Sequence, residues 1–341
     1  MIANDLNNSR CYMLAHQLKR LNLPYYLITN HDASMMPSFY TTAADGSRTR
    51  LKFDRILADV PCTGDGTMRK NLEIWPKWAA SHANHIHFLQ LRIAKRAAEL
   101  LAKDGLMIYS TCSLNPIENE AVVMNLLRQA DGALELVDVE EKIKHFRHAN
   151  GLEKWILMQK DSKIVTSFGE VDDQCKGSLT EEMFAPADVA RFNLKRCLRA
   201  LPHLNNTGGF FVAVIKKVKT LPWEREEKAV QASTESDEQA LEQKPKRARL
   251  DKRMVGFKEE PFHFVAKDDP DWLKIKEFYS ISDDFPTQRL FYRSENGSKN
   301  LYYVTERAIE LYKSNADNIN VRNSNFRGHV AEWLTCRPTT H

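Results

Sequence analysis

No CxxC pair occurs in the 341 residues, and the six cysteines (11, 62, 112, 175, 197 and 336) show no paired spacing. Neither a disulfide scaffold nor a zinc ribbon is expected, and unpaired thiols fit a reducing compartment. His82, His85 and His87 crowd one stretch. Without HExxH or an accompanying ligand set they predict no metal site. Gly64-Asp65-Gly66 lacks the third glycine of a dinucleotide fingerprint and reads as a turn. The longest apolar run, Phe210 to Ile215, is far too short to span a bilayer. The N-terminus has no basic segment leading into an apolar core, so it does not read as a signal peptide. Apolar content of 43% and charged content of 28% fit a soluble globular protein. A net charge of +4 permits an anionic partner without demanding one.

What is present is a pair of cysteine strings. Asp59-Val60-Pro61-Cys62-Thr63-Gly64-Asp65-Gly66 follows the apolar run Arg55 to Ala58. Tyr109-Ser110-Thr111-Cys112-Ser113-Leu114-Asn115-Pro116 follows Leu106 to Tyr109. Each run predicts a buried strand, and the carboxyl ends of such strands open into the ligand crevice of an α/β sheet. Strand-like and helical stretches alternate to about residue 218: a stub at Ile2-Ala3, a helix over 9–21 capped by Asn8 or Ser9, a strand at Tyr25 to Ile28, a polar turn over 45–50, a strand at Phe53 to Ala58, a helix over 84–102 closed by Asp104-Gly105, and a helix opened by Pro116 with Glu118 and Glu120 at its positive end. Thr207-Gly208-Gly209 turns into a last strand, Phe210 to Ile215. The series predicts a parallel sheet covered on both faces. From Glu224 to Arg253 the chain is polar and highly charged, which reads as a disordered linker. It ends in a basic cluster, Lys244 to Arg253, either a solvated linker or a nuclear-import or phosphate-contacting patch. Aromatics return from Gly256 and mark a second, small α+β unit.

Two thiols at one sheet rim suggest paired nucleophilic chemistry, because a thiolate adds to an electron-poor ring carbon. Cys112, between a strand and a helix start, is favoured as the thiolate. Cys11, Cys175 and Cys197 read as small buried hydrophobes. Asp5, Asp32 and Asp59 each end a predicted strand, where carboxylates hold ribose hydroxyls or an adenine amino group. Trp75 and Trp78 read as packing residues under a loop rather than as base-stacking platforms. Arg69 and Lys70 read as phosphate contacts or as solvated charges.

Together these strings resemble the Nop/Sun-domain RNA cytosine-5 methyltransferases, of the eukaryotic tRNA type with a C-terminal extension. The resemblance rests on ANDLNNSR (3–10), NHDAS (30–34), ADVPCTGDGT (58–67), YSTCSLNPIENE (109–120) and NTGGFFVAV (206–214). It implies a Rossmann-like S-adenosylmethionine-dependent methyltransferase sheet over 1–222, a charged linker over 223–255 and a small C-terminal α+β domain over 256–341. It further implies that Cys112 attacks carbon 6 of a cytosine in RNA, with tRNA the expected class, and that carbon 5 then takes a methyl group from S-adenosylmethionine. Cys62 is implied to help eliminate the adduct, Asp59 to lie near the ring nitrogen and the cofactor, Asp5 to bind the cofactor ribose and Asp32 its adenine. Addition to a cytosine requires the base to leave its stack.

The departures carry an expectation of their own. In the family a first strand and a glycine-rich cofactor loop with an active-site lysine precede the strand ending in Asp5, as does an RNA-binding N-terminal region. This chain starts inside what resembles the second strand. The expectation is a fragment that binds cofactor poorly and is unstable alone, because losing a central parallel strand leaves backbone unpaired. A non-catalytic RNA-binding or scaffold fragment is the competing class. A DNA cytosine methyltransferase fits worse, having no reason for the second, Thr-Cys-Ser string. The basic cluster points to the nucleus, with the nucleolus and cytoplasm also compatible.

Overall fold

The computed structural model describes residues 1–21, 26–43, 45–160, 162–224, 263–292 and 301–315. The strands in chain order are β1 (Ile2–Asn4), β2 (Leu27–Thr29), β3 (Phe39–Thr42), β4 (Arg48–Leu51), β5 (Phe53–Asp59), β6 (Leu101–Thr111), β7 (Leu134–Leu136), β8 (Ala149–Asn150), β9 (Leu157–Met158), β10 (Ile164–Val165), β11 (Leu198–Ala200), β12 (Phe210–Lys217), β13 (His263–Phe264), β14 (Leu290–Tyr292) and β15 (Tyr302–Tyr303). The helices are α1 (Asn8–Lys19), α2 (His82–Leu100), α3 (Glu120–Ala130), α4 (Pro202–Asn205), α5 (Pro270–Phe278) and α6 (Glu306–Asn315). Among the described residues no helix is long and apolar enough to cross a membrane.

The chain divides into two compact units. One contains residues 33–36 and 52–227; the other contains 1–32, 37–51 and 228–341. This differs from a continuous 1–222 domain. The hairpin of β3 and β4 accounts for part of the difference, since it is tied to the end of α6: Asn315 Nδ2 donates to the Tyr40 carbonyl at 2.8 Å, and the Thr42 and Ser314 hydroxyls lie 2.9 Å apart. The expected polar turn over 45–50 is therefore shorter, because Arg48 already begins a paired strand.

The larger unit is α/β, with a six-stranded sheet in the order β5-β6-β12-β11-β8 and β7 also pairing with β12. Only β5 and β6 are parallel; every other pairing in this sheet is antiparallel. The parallel sheet expected from the alternation of elements is thus mixed, because β11, the short α4 and the 206–209 turn send β12 back alongside β6. Nor is it buried on both faces. Met107 and Tyr109 in β6, and Phe211, Ala213 and Ile215 in β12, are fully buried, whereas Ile108 between them is 37% exposed. That period of two is the mark of a sheet covered on one face. The covering layer is α2 and α3: Leu91, Ala94 and Ala98 of α2 and Val122, Val123 and Leu126 of α3 join the same core cluster.

Three local features depart from the sequence expectation. The cap of α1 is Asn7, whose side chain accepts the Arg10 N–H. Helix α2 ends at Leu100, and Asp104-Gly105 is a bulge inside β6: Asp104 has φ 63°, and the pairing with β5 slips from Phe53–Leu101 to Arg55–Leu106. Helix α3 starts at Glu120, not at Pro116, because the Glu118 and Asn119 side chains turn into the adjoining loops instead of facing outward from a helical turn.

In the other unit β1 and β2 form a two-stranded parallel sheet, in register Asn4–Thr29. Strands β13, β14 and β15 form an antiparallel sheet, and Val265, Trp272, Leu290 and Leu301 pack around it with α5. This is α+β, as expected. The 244–253 basic cluster, most of the charged stretch from 225, Cys336 and the 324–341 tail lie outside the described residues.

Candidate active site

Parallel pairing of β5 with β6 sets Asp59 beside Ser110, and the Val60 N–H continues the ladder to the Ser110 carbonyl at 3.1 Å. The chains leave the sheet together at this end. Three residues beyond Asp59 and two beyond Ser110, Cys62 and Cys112 meet with their sulfurs 3.1 Å apart, both half-buried. Asp59 is exposed at the same rim and accepts a hydrogen bond from Ser110 Oγ at 3.0 Å.

The thiols share a hydrogen bond, and its effect is opposite on the two. Donation from Cys62 lowers the Cys112 pKa below the ordinary thiol value, against the upward push of burial and of the Asp59 and Glu118 charges. The same bond, with burial and the charge on Cys112, raises Cys62. Of the two, Cys112 is the thiol more easily ionised and Cys62 the one that keeps its proton longer. The start of α3 lies well beyond Cys112; Cys62, not the helix dipole, accounts for the preference.

A buried carboxylate that the sequence pattern did not single out holds the two loops together. Glu118 is fully buried and accepts from the Thr63 N–H at 2.9 Å, the Thr63 hydroxyl, the Ser113 hydroxyl at 2.7 Å and Gln90 Nε2 at 3.0 Å. Thr63 and Ser113 are the residues directly after the two cysteines. Gln90 also donates to the Pro61 carbonyl at 2.9 Å, and the Tyr109 hydroxyl donates to the Glu118 carbonyl at 2.6 Å. Asn119 completes the Cys112 loop, accepting from the Thr111 hydroxyl at 2.6 Å and donating to the Ser113 carbonyl at 2.8 Å. Glu120 forms a buried pair with Arg199 at 2.6 Å, and Arg199 also donates to the Leu114 carbonyl. The one sequence signal for this cluster was a run of three acid or amide residues after Pro116.

Gly66 is a crossing point of three segments. Its N–H reaches the Cys112 carbonyl at 2.9 Å and its carbonyl accepts the Gly209 N–H at 2.7 Å. Arg69 is exposed, as the solvated reading expects, and also donates to the Thr207 carbonyl and Asn206 Oδ1 of the same turn.

Asp5 and Asp32 lie at the carboxyl end of the β1–β2 pair, where the Asn4 side-chain amide donates to the His31 carbonyl at 2.9 Å and accepts the His31 N–H at 3.0 Å. The Asp5 carboxylate accepts the Asn7 N–H at 2.8 Å and pairs with Arg10 at 3.0 Å. Asp5 and Asp32 follow the two strands of one small sheet, and Asp59 ends β5 of the six-stranded sheet. Cys11 and Cys197 are buried, and burial pushes the Cys197 thiol well up. His87 is buried with its ring nitrogens on the Ile117 carbonyl and Asn125. Trp75 and Trp78, expected under a loop, are 62% and 46% exposed.

Residues 1–216 match the family described as 16S rRNA methyltransferase RsmB/F, and residues 261–327 match the NSUN2 Pre-PUA domain. A tRNA (cytosine(34)-C(5))-methyltransferase of Drosophila melanogaster is 42% identical over 352 residues, covering 97% of this chain and 47% of that protein. The multisite-specific tRNA:(cytosine-C(5))-methyltransferase trm4b of Schizosaccharomyces pombe is 38% identical over 361 residues, covering 98% of this chain and 52% of that protein. The chain spans about half the length of these curated relatives. The solved structure of NSun6 from Pyrococcus horikoshii with SFG superposes with a TM-score of 0.41 at 21% identity, over 64% of this chain and 41% of that one.

Proposed function

Because this chain belongs to the RsmB/F methyltransferase family, we propose that it methylates carbon 5 of cytosine in RNA, with tRNA the substrate class and S-adenosylmethionine the methyl donor. The observation that carries the reading is the close pair of Cys112 and Cys62, sulfur to sulfur 3.1 Å, at the open end of two parallel strands.

Cys112, held as the thiolate, adds to carbon 6 of a cytosine that has been swung out of its stack. The sulfur–carbon bond forms, the 5,6 double bond opens and electron density collects at carbon 5. Asp59, exposed beside the pair, is placed to hold the ring-nitrogen edge where that charge is shared. S-adenosylmethionine, when bound, supplies the electrophilic methyl group that carbon 5 takes up. Alkylation of Cys112 removes the charge that was holding the Cys62 proton in place. Cys62 then gives its proton to solvent and serves as the base that takes the carbon 5 proton, so the net proton released by the methylation leaves through water. The 5,6 double bond re-forms and Cys112 leaves as the thiolate, so atoms and charge balance. The pair's shared proton thus sets the order of events: nucleophile first, base second.

The acidic residues fit the cofactor's chemistry. Each carboxylate oxygen has two acceptor sites, so Asp5 keeps capacity after meeting Asn7 and Arg10. Asp5 and Asp32, at the carboxyl end of a parallel strand pair, suit ribose hydroxyls and an adenine amino group. The basic cluster at 244–253 supports a nuclear location.

The test is covalent trapping on RNA containing 5-azacytidine, with S-adenosylmethionine, using wild type, Cys112→Ala and Cys62→Ala. An adduct abolished only by Cys112→Ala supports the assignment. RNA binding without any adduct would sink it and leave an RNA-binding scaffold.

A further inference from the structure

The loop that follows Cys112 does more than close the site. Leu114, Asn115 and Pro116 line a cleft of ≈ 280 Å³ together with Trp78, Ile156 and Ile164. The last three are large apolar residues left 46%, 58% and 54% exposed. Such residues scattered singly are ordinary, but gathered on one concave surface they mark a binding site. Most polar groups of the cleft are engaged within the protein, with acceptor capacity left on the Asp65 carboxylate. Asp65 accepts the Leu114 N–H at 2.7 Å, and Asn115 accepts the Ile117 N–H at 3.0 Å while donating to the Ala80 carbonyl at 3.3 Å. A ligand here meets flat apolar surface and little that reads hydrogen-bonding edges. Exposed lysines stand beside the lining residues in sequence: Lys77 next to Trp78, and Lys154 and Lys160 flanking the Ile156–Met158 stretch. They supply positive charge for a phosphate backbone.

A cytosine swung onto Cys112 leaves its neighbour in the strand without a stacking partner. The geometry points to this cleft as the seat of that neighbour: an unpaired nucleobase adjacent to the target cytosine in single-stranded RNA, stacked on Trp78. The inference rests on the proposed activity, because the target defines which base is adjacent. Stacking without edge contacts makes the subsite tolerant of base identity. Any base therefore serves, whereas an abasic sugar does not.

The test uses the full chain and a short fluorescein-labelled single-stranded RNA with one cytosine. Each flanking nucleotide is replaced in turn by an abasic sugar, and binding is measured by anisotropy. At one flanking position the abasic sugar should weaken wild-type binding roughly 5- to 150-fold, the weight of one stacked base. Exchanging the base there should change binding little. In Trp78→Ala the abasic penalty at that position should vanish, and Trp78→Phe should restore most of it. Ile156→Ser, on the wall of the cleft, should shrink the penalty as well. An abasic penalty equal in wild type and Trp78→Ala, or absent at every position, overturns the subsite and leaves the cleft to a peptide segment. Parallel 5-azacytidine trapping separates the two claims. An adduct with no Trp78 coupling removes the subsite alone. Trp78 coupling with no adduct removes the chemistry alone. Failure to bind RNA removes both.

Discussion

Glu118 accepts both the backbone N–H and the hydroxyl of Thr63, a residue 55 positions earlier in the chain. The same carboxylate accepts the Ser113 hydroxyl. One buried anion therefore joins the residue after Cys62 to the residue after Cys112 and fixes the spacing of the sulfurs. Four donors surround it, so its lone pairs are satisfied away from water.

Glu118→Gln separates the structural and electrostatic parts of that role. The amide oxygen can keep the Thr63 N–H and Gln90 while the amide nitrogen donates to the two rotatable hydroxyls, but all four bonds lose their charge assistance. The variant is expected to lose about 1–3 kcal/mol, read as a lowered urea midpoint. The Glu118 charge pushes both thiols up. Its removal should therefore move the pH inflection of Cys112 alkylation downward even as the fold weakens. An inflection that stays put or rises would show that the charge does not reach the pair.

The thiol pair makes its own prediction. In wild type, iodoacetamide should label Cys112 with an inflection below the ordinary thiol value, because Cys62 donates to the thiolate. Cys62→Ala removes the donor and leaves burial, Asp59 and Glu118, all of which raise the thiol. The inflection should move up, and labelling near neutral pH should slow by roughly tenfold or more, the weight of a hydrogen bond to a charged group. An unchanged inflection would mean that the lowered pKa of Cys112 has another source.

Arg199 and Glu120 form a nearly dry pair, with 8% and 0% side-chain exposure. Removing one partner strands the other charge in the core. Arg199→Met should cost about 3–5 kcal/mol, and the double variant Arg199→Met with Glu120→Leu should recover much of it. Urea unfolding of the three proteins measures both. Because Arg199 also holds the Leu114 carbonyl, adduct formation by Cys112 should remain impaired in the double variant after stability returns.

The legible part of this molecule was whatever short strings encode. Cys62 and Cys112 follow apolar runs that form adjacent parallel strands, so sequence alone put both at one sheet end. The strand directions beyond them were not legible. Whether β12 runs with or against β6 depends on how the chain returns through β11 and the 206–209 turn, which no periodicity reveals. Asp104-Gly105 has the chemistry of a helix cap, yet pairing with β5 continues through it as a bulge. Glu118 was hidden by its position near a presumed helix start, where a glutamate already has an adequate explanation. Its role depends on Thr63 and Gln90, which only the fold brings near. Trp78 shows the same limit: an aromatic in a loop is assigned to packing by default, and its 46% exposure is a tertiary property that the sequence does not reveal.

Gly66 offers the sharpest test of how closely the two cysteine loops are packed. It is required here for its lack of a side chain: a Cβ at this position would lie 2.5 Å from the Gly209 carbonyl oxygen and 2.7 Å from that of Cys112. Both neighbours are backbone, and both are tied to Gly66 by hydrogen bonds. Neither has a rotamer to change. Gly66→Ala must therefore push the Cys112 loop or the 208–209 turn outward, at a cost of about 1–3 kcal/mol for a methyl group forced into packed structure. Displacing the Cys112 carbonyl moves the sulfur as well. Adduct formation should fall further than stability does, whereas Gly46→Ala, where nothing lies within 4 Å but φ is +80°, should cost stability alone. Equal losses of adduct in both variants, after correction for the folded fraction, would show that the Gly66 contact does not position Cys112.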